Sequence, residues 1–433
     1  MRAVRVIIIG AGVLGCSAGL ALGRAGFDVE VVDRLGQVGH GSTSASCAIV
    51  RRFYSQASMV ALAHEGAAAW AEWSTYVGDI GEELAEFRRP GVLFLPPELN
   101  ESVRTIVAEM ARIGVEVSIL DPEEIQARFP YVNTTSQYPP RHLTDPEFLE
   151  DAGRPIAGGI FEHRGGYIAS PTLATHNLRL AAERVGVAFR LKTTIIAVAR
   201  DDAGGFTLKT AAGDTLEAEI LINISGPHSS MINRMVGAEL PLWTRPLRRE
   251  VHALENPHYG TTGPGLPVIG DLDGGVYFRP ELGGREIIVG STEPACDAAD
   301  QEWLDDPDDA NPHTTNTWFQ RQSLRLMKRV PDVRQGRRRG IVGVYDVTPD
   351  WYPIVDKTEV PGYFVCIGTS GSSFKTAPVL GPLVAEIVEA TVNGRDIDRD
   401  PLNFALPRIG LSVDASFLSR LRGKGASSGT VIG

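Results

Sequence analysis

"VRVIIIGAGVLGCSAGLAL", from Val4 to Leu22, followed by "EVVD" from Glu30 to Asp33, decides the fold. "VRVIII" is an apolar run of strand length stopped at once by glycine, and "EVVD" is a second strand ending on an acid. Between them Gly10, Gly12 and Gly15 match GxGxxG. One glycine permits the tight turn, another lets a pyrophosphate approach the backbone, and the third allows close helix-to-strand packing. The helix opening after the turn offers free N–H groups and a positive dipole end to phosphates. Asp33, about 20 residues on, is placed to accept hydrogen bonds from ribose hydroxyls. The stretch therefore predicts a dinucleotide site on a parallel α/β sheet. Its uncharged part, Val6 to Leu22, is shorter than the ~20 residues that span a bilayer and carries four glycines, so it reads as buried strand, turn and helix rather than a membrane anchor.

Around that core, a chain of 433 residues has room for about two to three domain-sized units. Hydrophobic residues at 43% and charged residues at 22% fit a globular protein, and the net charge of -11 argues against general nucleic-acid binding. The run Arg334, Arg337, Arg338 and Arg339 reads as a solvated turn before the strand "GIVGVY". Cys16, Cys47, Cys296 and Cys366 are scattered without CxxC, which suggests neither a zinc site nor a disulfide framework and fits a cytoplasmic location. No metal site is expected. Hydrolase motifs are missing: there is no GxSxG, and "HEGAA" at His64 lacks the second histidine of HExxH.

Apolar spacing predicts a helix over Met59 to Val77 that places Trp70 and Trp73 in the core, and another over Leu99 to Met110. Asp121, Pro122 and Glu124 form a capping box, and Ser170 with Pro171 opens a further helix. Strand and helix alternate at both ends of the chain, with β-hairpins between. The division expected is a discontinuous cofactor domain over 1–87, 153–236 and 335–410, and a substrate domain over 88–152 and 237–334. Residues 411–433, ending "GKGASSGTVIG", have a composition that predicts a mobile tail. In "YDVTPD", Asp346 and Asp350 read as loop-holding acids beside Pro349.

Near the end of the chain, "TSGSSFKTAPVLG" from Thr369 to Gly381 carries Lys375 as the one charge between Glu359 and Glu386. A cation at the mouth of a helix opposes the macrodipole, so helix stability does not account for it. Together with "IIIGAGVLG", "HGSTSASCAIVRRFYS", "RRPGVLFL", "AEILINISGPHSS" and "GVYDVTPDWYPIVD", this stretch resembles the FAD-dependent amine and amino-acid oxidoreductases of the D-amino-acid oxidase superfamily, most closely the sarcosine oxidase and dimethylglycine dehydrogenase branch. The resemblance runs to about Gly410. It implies an α/β fold in which an FAD-binding Rossmann-like domain is interrupted by an α+β substrate domain with a mostly antiparallel sheet.

By that resemblance the cofactor lies against Gly10, Gly12, Val13, Leu14, Gly15, Asp33, Arg34, Ser42, Thr43, Ser44 and Gly226, and against Gly371, Ser372, Ser373, Phe374 and Lys375. Arg51 falls where the family places an arginine on the substrate carboxylate, and Lys375, in "SGSSFK", where it places a lysine on the same group. The two would form a cationic clamp that orients an amino acid against the flavin. Arg52 would point the other way, as a surface or structural residue, because neighbours on an extended segment face opposite sides. Arg279 in "YFRPE" would act electrostatically on substrate or oxygen, or else face solvent. Tyr54 and Tyr345 would line the pocket or bond to backbone.

Departures from the family pattern matter as well. Gly343 and Ala45 stand where relatives carry a cysteine or histidine bonded to flavin, so the FAD would be non-covalent. Ser372 and Ala48 replace basic residues, so a sarcosine oxidase pocket is not reproduced in full. The resemblance implies oxidation of a C–N bond by hydride transfer and imine hydrolysis, with electrons passed to oxygen or another acceptor. Three readings stay open: an N-alkylated amino acid as substrate, a D-, cyclic or primary amino acid such as glycine or a proline derivative, or a non-catalytic FAD-binding subunit. A homo-oligomer or a partner subunit is compatible with each.

Overall fold

In the computed structural model, which describes residues 4–201, 204–260 and 265–423, the glycine turn follows the central strand of a six-stranded sheet. The strand order is Ile354–Lys357, Tyr363–Ile367, Ile220–Asn223, Arg5–Ile9, Asp28–Val32 and Ala188–Arg190. All neighbours run parallel except the first pair. Because strand side chains alternate between faces, the run Val6-Ile7-Ile8-Ile9 serves two cores at once. Val6 and Ile8 pack with the helices Val13–Arg24, Pro171–Arg184 and Ala377–Val392. Ile7 and Ile9 pack instead with an antiparallel meander of Ile195–Arg200, Phe206–Thr210 and Thr215–Ala218.

A second, larger sheet carries the order Glu302–Trp303, Arg245–Glu255, Glu286–Ser291, Val276–Glu281, Val268–Asp271, Val92–Leu95, Gly159–Glu162 and Val117–Leu120, with Gly340–Val347 also paired to Arg245–Glu255. It is antiparallel apart from the pairing of Val92–Leu95 with Val268–Asp271. One face sends Leu93, Leu95 and Ile269 into a core with Leu326 of the helix Asn316–Arg329. The opposite face turns Val92, Phe94 and Val268 into the core that Val6 and Ile8 share with the helices of the six-stranded sheet. Two of its strands, Gly159–Glu162 and Gly340–Val347, come from segments that the sequence division assigned to the cofactor side. Hydrogen-bond pairing over long sequence separations, invisible in local pattern, draws them across.

The expected mobile tail is corrected for the described residues 411–423. Leu411–Asp414 pairs with Asn403–Leu406. Beyond it Arg420 bonds Asp356 and Asp398, and Arg422 bonds Asp350. Asp350 is thus the partner of a terminal arginine as well as a loop acid. Residues 424–433 lie outside the described residues. The capping box at Asp121 and the Ser170 cap both form, while the long helix predicted from Met59 is interrupted at Glu72 into Ala57–Ala71 and Trp73–Val77. No helix among the described residues is long and apolar enough to cross a membrane.

Candidate active site

A cleft of about 880 Å³ opens between the two sheets. It begins where the parallel strands end: Gly10 and Gly12 after one, Asp33 after the next, Ser225 and Gly226 after a third, and Thr369 past a fourth all line it. Carboxyl ends of such strands, where N–H groups and helix N-termini point outward, are where open α/β sheets bind ligands. Gly10 has φ +112°, and a Cβ there would lie 2.3 Å from the Ile224 carbonyl oxygen. A Cβ at Gly15 would lie 1.8 Å from the Gly10 carbonyl oxygen. Gly15 therefore does not line the cleft but seats the helix against the turn. The helix Val13–Arg24 starts with no side-chain cap and no acid in its first turn. Thr43 accepts from the Val13 N–H at 3.2 Å.

Asp33 is fixed at the cleft wall by the N–H groups of Ala11 and Leu35, at 2.7 and 2.8 Å. Its neighbour Arg34 also lines the cleft, in a two-bond pair with Asp308, itself a lining residue, at 2.7 Å for both contacts. Asp308 also meets His228 at 3.0 Å, and the hydrogen bond from Arg34 holds its carboxyl down at about 2. Ser42 donates to the Val344 carbonyl at 2.6 Å, Ser44 donates to Gly41 at 2.8 Å, and both still line the cleft with Val13 and Leu14. Past Thr369, at one end of the cleft, stand Gly371, Ser372, Ser373, Phe374 and Lys375. Gly371 has φ +71°, and a Cβ there would strike the Tyr345 ring at 2.4 Å, so Tyr345 lies flat against that loop. Burial pushes the Tyr345 phenol up to about 12.

Arg51 and Lys375 line the same end, each 4% exposed. The Arg51 guanidinium lies 4.1 Å from the Tyr54 ring centroid, and Lys375 Nζ lies 5.5 Å from it. Arg51 also donates to the Phe53 carbonyl. Lys375 Nζ donates to the Tyr54 hydroxyl at 2.8 Å and to the Ser372 carbonyl at 2.5 Å. Its backbone is clamped by the helix Ala57–Ala71: Trp70 donates to the Lys375 carbonyl at 2.9 Å, and a Cβ at Gly66 would meet that oxygen at 2.4 Å. Tyr54 itself does not line the cleft. It sits behind the two cations as their shared support, which corrects its expected place in the pocket wall.

Two more expectations change. Arg279 is 2% exposed, but its nitrogens bond the carbonyls of Cys47 and Pro280 and the carboxylate of Glu281, at 2.7, 2.8 and 2.7 Å. It braces the segment before Arg51 and neither faces solvent nor lines the cleft. Arg52 points away from Arg51 as parity demands, yet is only 3% exposed, paired with Glu162 at 3.2 Å. Glu162 also accepts from the Arg52 and Phe53 N–H groups at 2.9 Å, so it sets the extended path that aims Arg51. Glu162, Asp308 and Tyr277 escaped sequence reading. Tyr277 lines the cleft and contacts Cys47 at 3.6 Å, on a strand whose pleat alone would have pointed it inward.

Asp346 joins three segments under the cleft, accepting from the Gly368 N–H at 2.6 Å and from Ser229 at 3.0 Å. Burial pushes its carboxyl up to about 7, against the lowering effect of those donors. An acid raised in the fold stabilises it while protonated. The contribution is whole below about pH 3.9 and disappears as pH rises through about 7, a swing of roughly 4 kcal/mol. Asp346→Asn should therefore flatten the fall in melting temperature between pH 5 and 8; a wild-type melting temperature constant over that range would contradict the assignment.

Comparisons with known proteins identify the family and the fold. A family model described as FAD dependent oxidoreductase matches residues 5–387. The chain is 24% identical over 388 residues to N-methyl-L-tryptophan oxidase of Salmonella typhimurium, covering 88% of this chain and 93% of that protein. It is 26% identical to the bovine (Bos taurus) FAD-dependent oxidoreductase domain-containing protein 1, over 88% of this chain and 80% of that one. Its fold is similar to L-proline dehydrogenase from P. horikoshii, with TM-score 0.74 and 19% identity, covering 97% of each chain. Glycine oxidase from Geobacillus kaustophilus gives TM-score 0.73 at 20% identity, covering 98% of this chain and 100% of the other.

Proposed function

Because the chain belongs to the FAD dependent oxidoreductase family, we propose that it oxidises the C–N bond of an amino acid gripped by its carboxylate between Arg51 and Lys375, with an N-alkylated amino acid as the preferred substrate. The residues present fit the cofactor. The turn at Gly10 and Gly12 carries no Cβ, the helix end has no acid in its first turn and would face phosphates, and Asp33 is held where ribose hydroxyls would lie. FAD, when bound, supplies the two-electron acceptor for the C–H bond beside the nitrogen.

The observation that carries the proposal is the meeting of Arg51 and Lys375, 324 positions apart in the chain (375 less 51), on one tyrosine at one end of the cleft. A pair of cations fixes a carboxylate in position and direction, so the adjacent carbon and nitrogen are presented in a constant pose. The walls beside them, Val92, Phe94 and Val268, are apolar and keep water from the reacting carbon. The substrate nitrogen must be neutral for its lone pair to assist, so rates should rise with pH as the ammonium loses its proton.

Non-covalent attachment is part of this reading. Gly343 and Ala45 adjoin each other, a Cβ on the former coming 2.9 Å from the latter, and neither offers a nucleophile. The nearby Cys47 thiol is pushed up by burial, which keeps it protonated and unreactive. The test is an anaerobic screen in which N-methyl, D-, primary and cyclic amino acids are offered to the yellow protein and flavin bleaching is followed. Bleaching by N-methyl amino acids with release of formaldehyde supports the reading. Ammonia or a ring imine as product moves the substrate to the primary or cyclic class. A flavin that no amine bleaches makes the chain a binding subunit.

A further inference from the structure

Gripping a carboxylate does not by itself require the geometry in which Lys375 holds its amine. Two directions of Nζ are spent on the Tyr54 hydroxyl and the Ser372 carbonyl. A tetrahedral amine has one direction left, and Lys375 lines the cleft. That direction carries a third N–H when the group is charged and a lone pair when it is neutral.

The groups around it weaken its hold on a proton before a substrate docks. Arg51, from the segment before it, places a guanidinium on the same Tyr54 ring. Glu162, from the strand Gly159–Glu162, attracts a charge on Lys375, but its oxygens already serve Arg52 and the N–H groups of Arg52 and Phe53. The helix Ala57–Ala71 meets the lysine with Gly66 and Trp70, neither titratable. Among the described residues no carboxylate forms an ion pair with Nζ. Burial first, and Arg51 second, hold its proton affinity well below that of an ordinary lysine.

We propose that Lys375 takes the proton of the substrate's ammonium group as the carboxylate docks, so that the residue gripping the acid also generates the reactive neutral amine. The inference rests on the carboxylate reading of the site. An N–H bond of the ammonium breaks, its electron pair stays on the substrate nitrogen, and a new N–H bond forms at the Nζ lone pair. No electron changes hands. The new N–H occupies the one direction left to Nζ, shared between the amine nitrogen and the carboxylate oxygen beside it, and the positive charge it brings to the lysine is stabilised by the docked carboxylate.

The test uses the flavin-loaded protein and propionate, a carboxylate without an amine. Near neutral pH, calorimetric titration in two buffers of different ionisation enthalpy should show uptake of about one proton per site, whereas a zwitterionic N-methyl amino acid, bringing its own proton, should show none. Lys375→Arg, already charged, should bind propionate without uptake and need higher pH to be reduced by the amino acid. Lys375→Met should lose the uptake as well. Propionate bound by the wild type without proton uptake overturns this proposal and leaves the carboxylate site standing. Failure of propionate to bind at all defeats both.

Discussion

Replacing Arg51 by methionine should lower kcat/KM for carboxylate-bearing amino acids by roughly 100-fold, about 3 kcal/mol. The size follows from burial. A guanidinium 4% exposed, stacked at 4.1 Å on Tyr54, acts where water screens little, and methionine fills its volume without its charge. Lys375 would then face the substrate acid alone. Lysine at position 51 should recover part of the loss, since it restores charge but not the planar fork that meets both carboxylate oxygens. An unchanged melting temperature with a changed kcat/KM separates this effect from misfolding. Equal losses for amines that lack a carboxylate would refute the role.

The second large effect belongs to the glycine turn. Gly15→Ala puts a Cβ 1.8 Å from the Gly10 carbonyl oxygen, a backbone atom with no free rotation to relieve the clash. The helix Val13–Arg24 must move off the strand Arg5–Ile9, and the phosphate-binding N–H groups move with it. Gly15→Ala protein should emerge from gel filtration largely colourless, and added FAD should raise its melting temperature far less than that of wild-type apoprotein. A variant that keeps its yellow colour through gel filtration would show that the turn tolerates the shift. Gly12→Ala, whose Cβ would stand 3.2 Å from the Thr43 hydroxyl, should disturb the apoprotein fold less, its cost falling on the room left for phosphate.

What could be read from the sequence followed the range of the interaction. The turn from Gly10 to Gly15 is a local device, and its residues announce it. Lys375 was conspicuous because a lone charge in an apolar stretch needs a reason, and the alternation of Arg51 and Arg52 follows from the pleat. The partners were hidden. Glu162 lies 110 positions from Arg52, and Asp308 lies 274 from Arg34, so nothing near either arginine foretold its commitment. Arg279 looked available for catalysis until its nitrogens were found on Cys47, Pro280 and Glu281. The glycine- and serine-rich ending "GKGASSGTVIG" drew the whole segment after Gly410 into a mobile reading, yet Val413, Ala415 and Leu418 pack into the core, and Arg420 and Arg422 anchor it through buried and half-buried acids. Ion pairs of this kind leave no periodicity to detect.

The most direct test of the carboxylate grip is a matched pair: one N-methyl amino acid as free acid and as its carboxamide, each mixed anaerobically with wild-type protein while flavin absorbance is followed. The free acid should bleach the flavin at least about 100-fold more efficiently, the margin expected when a buried cation loses its partner. Equal bleaching by acid and amide would contradict the account.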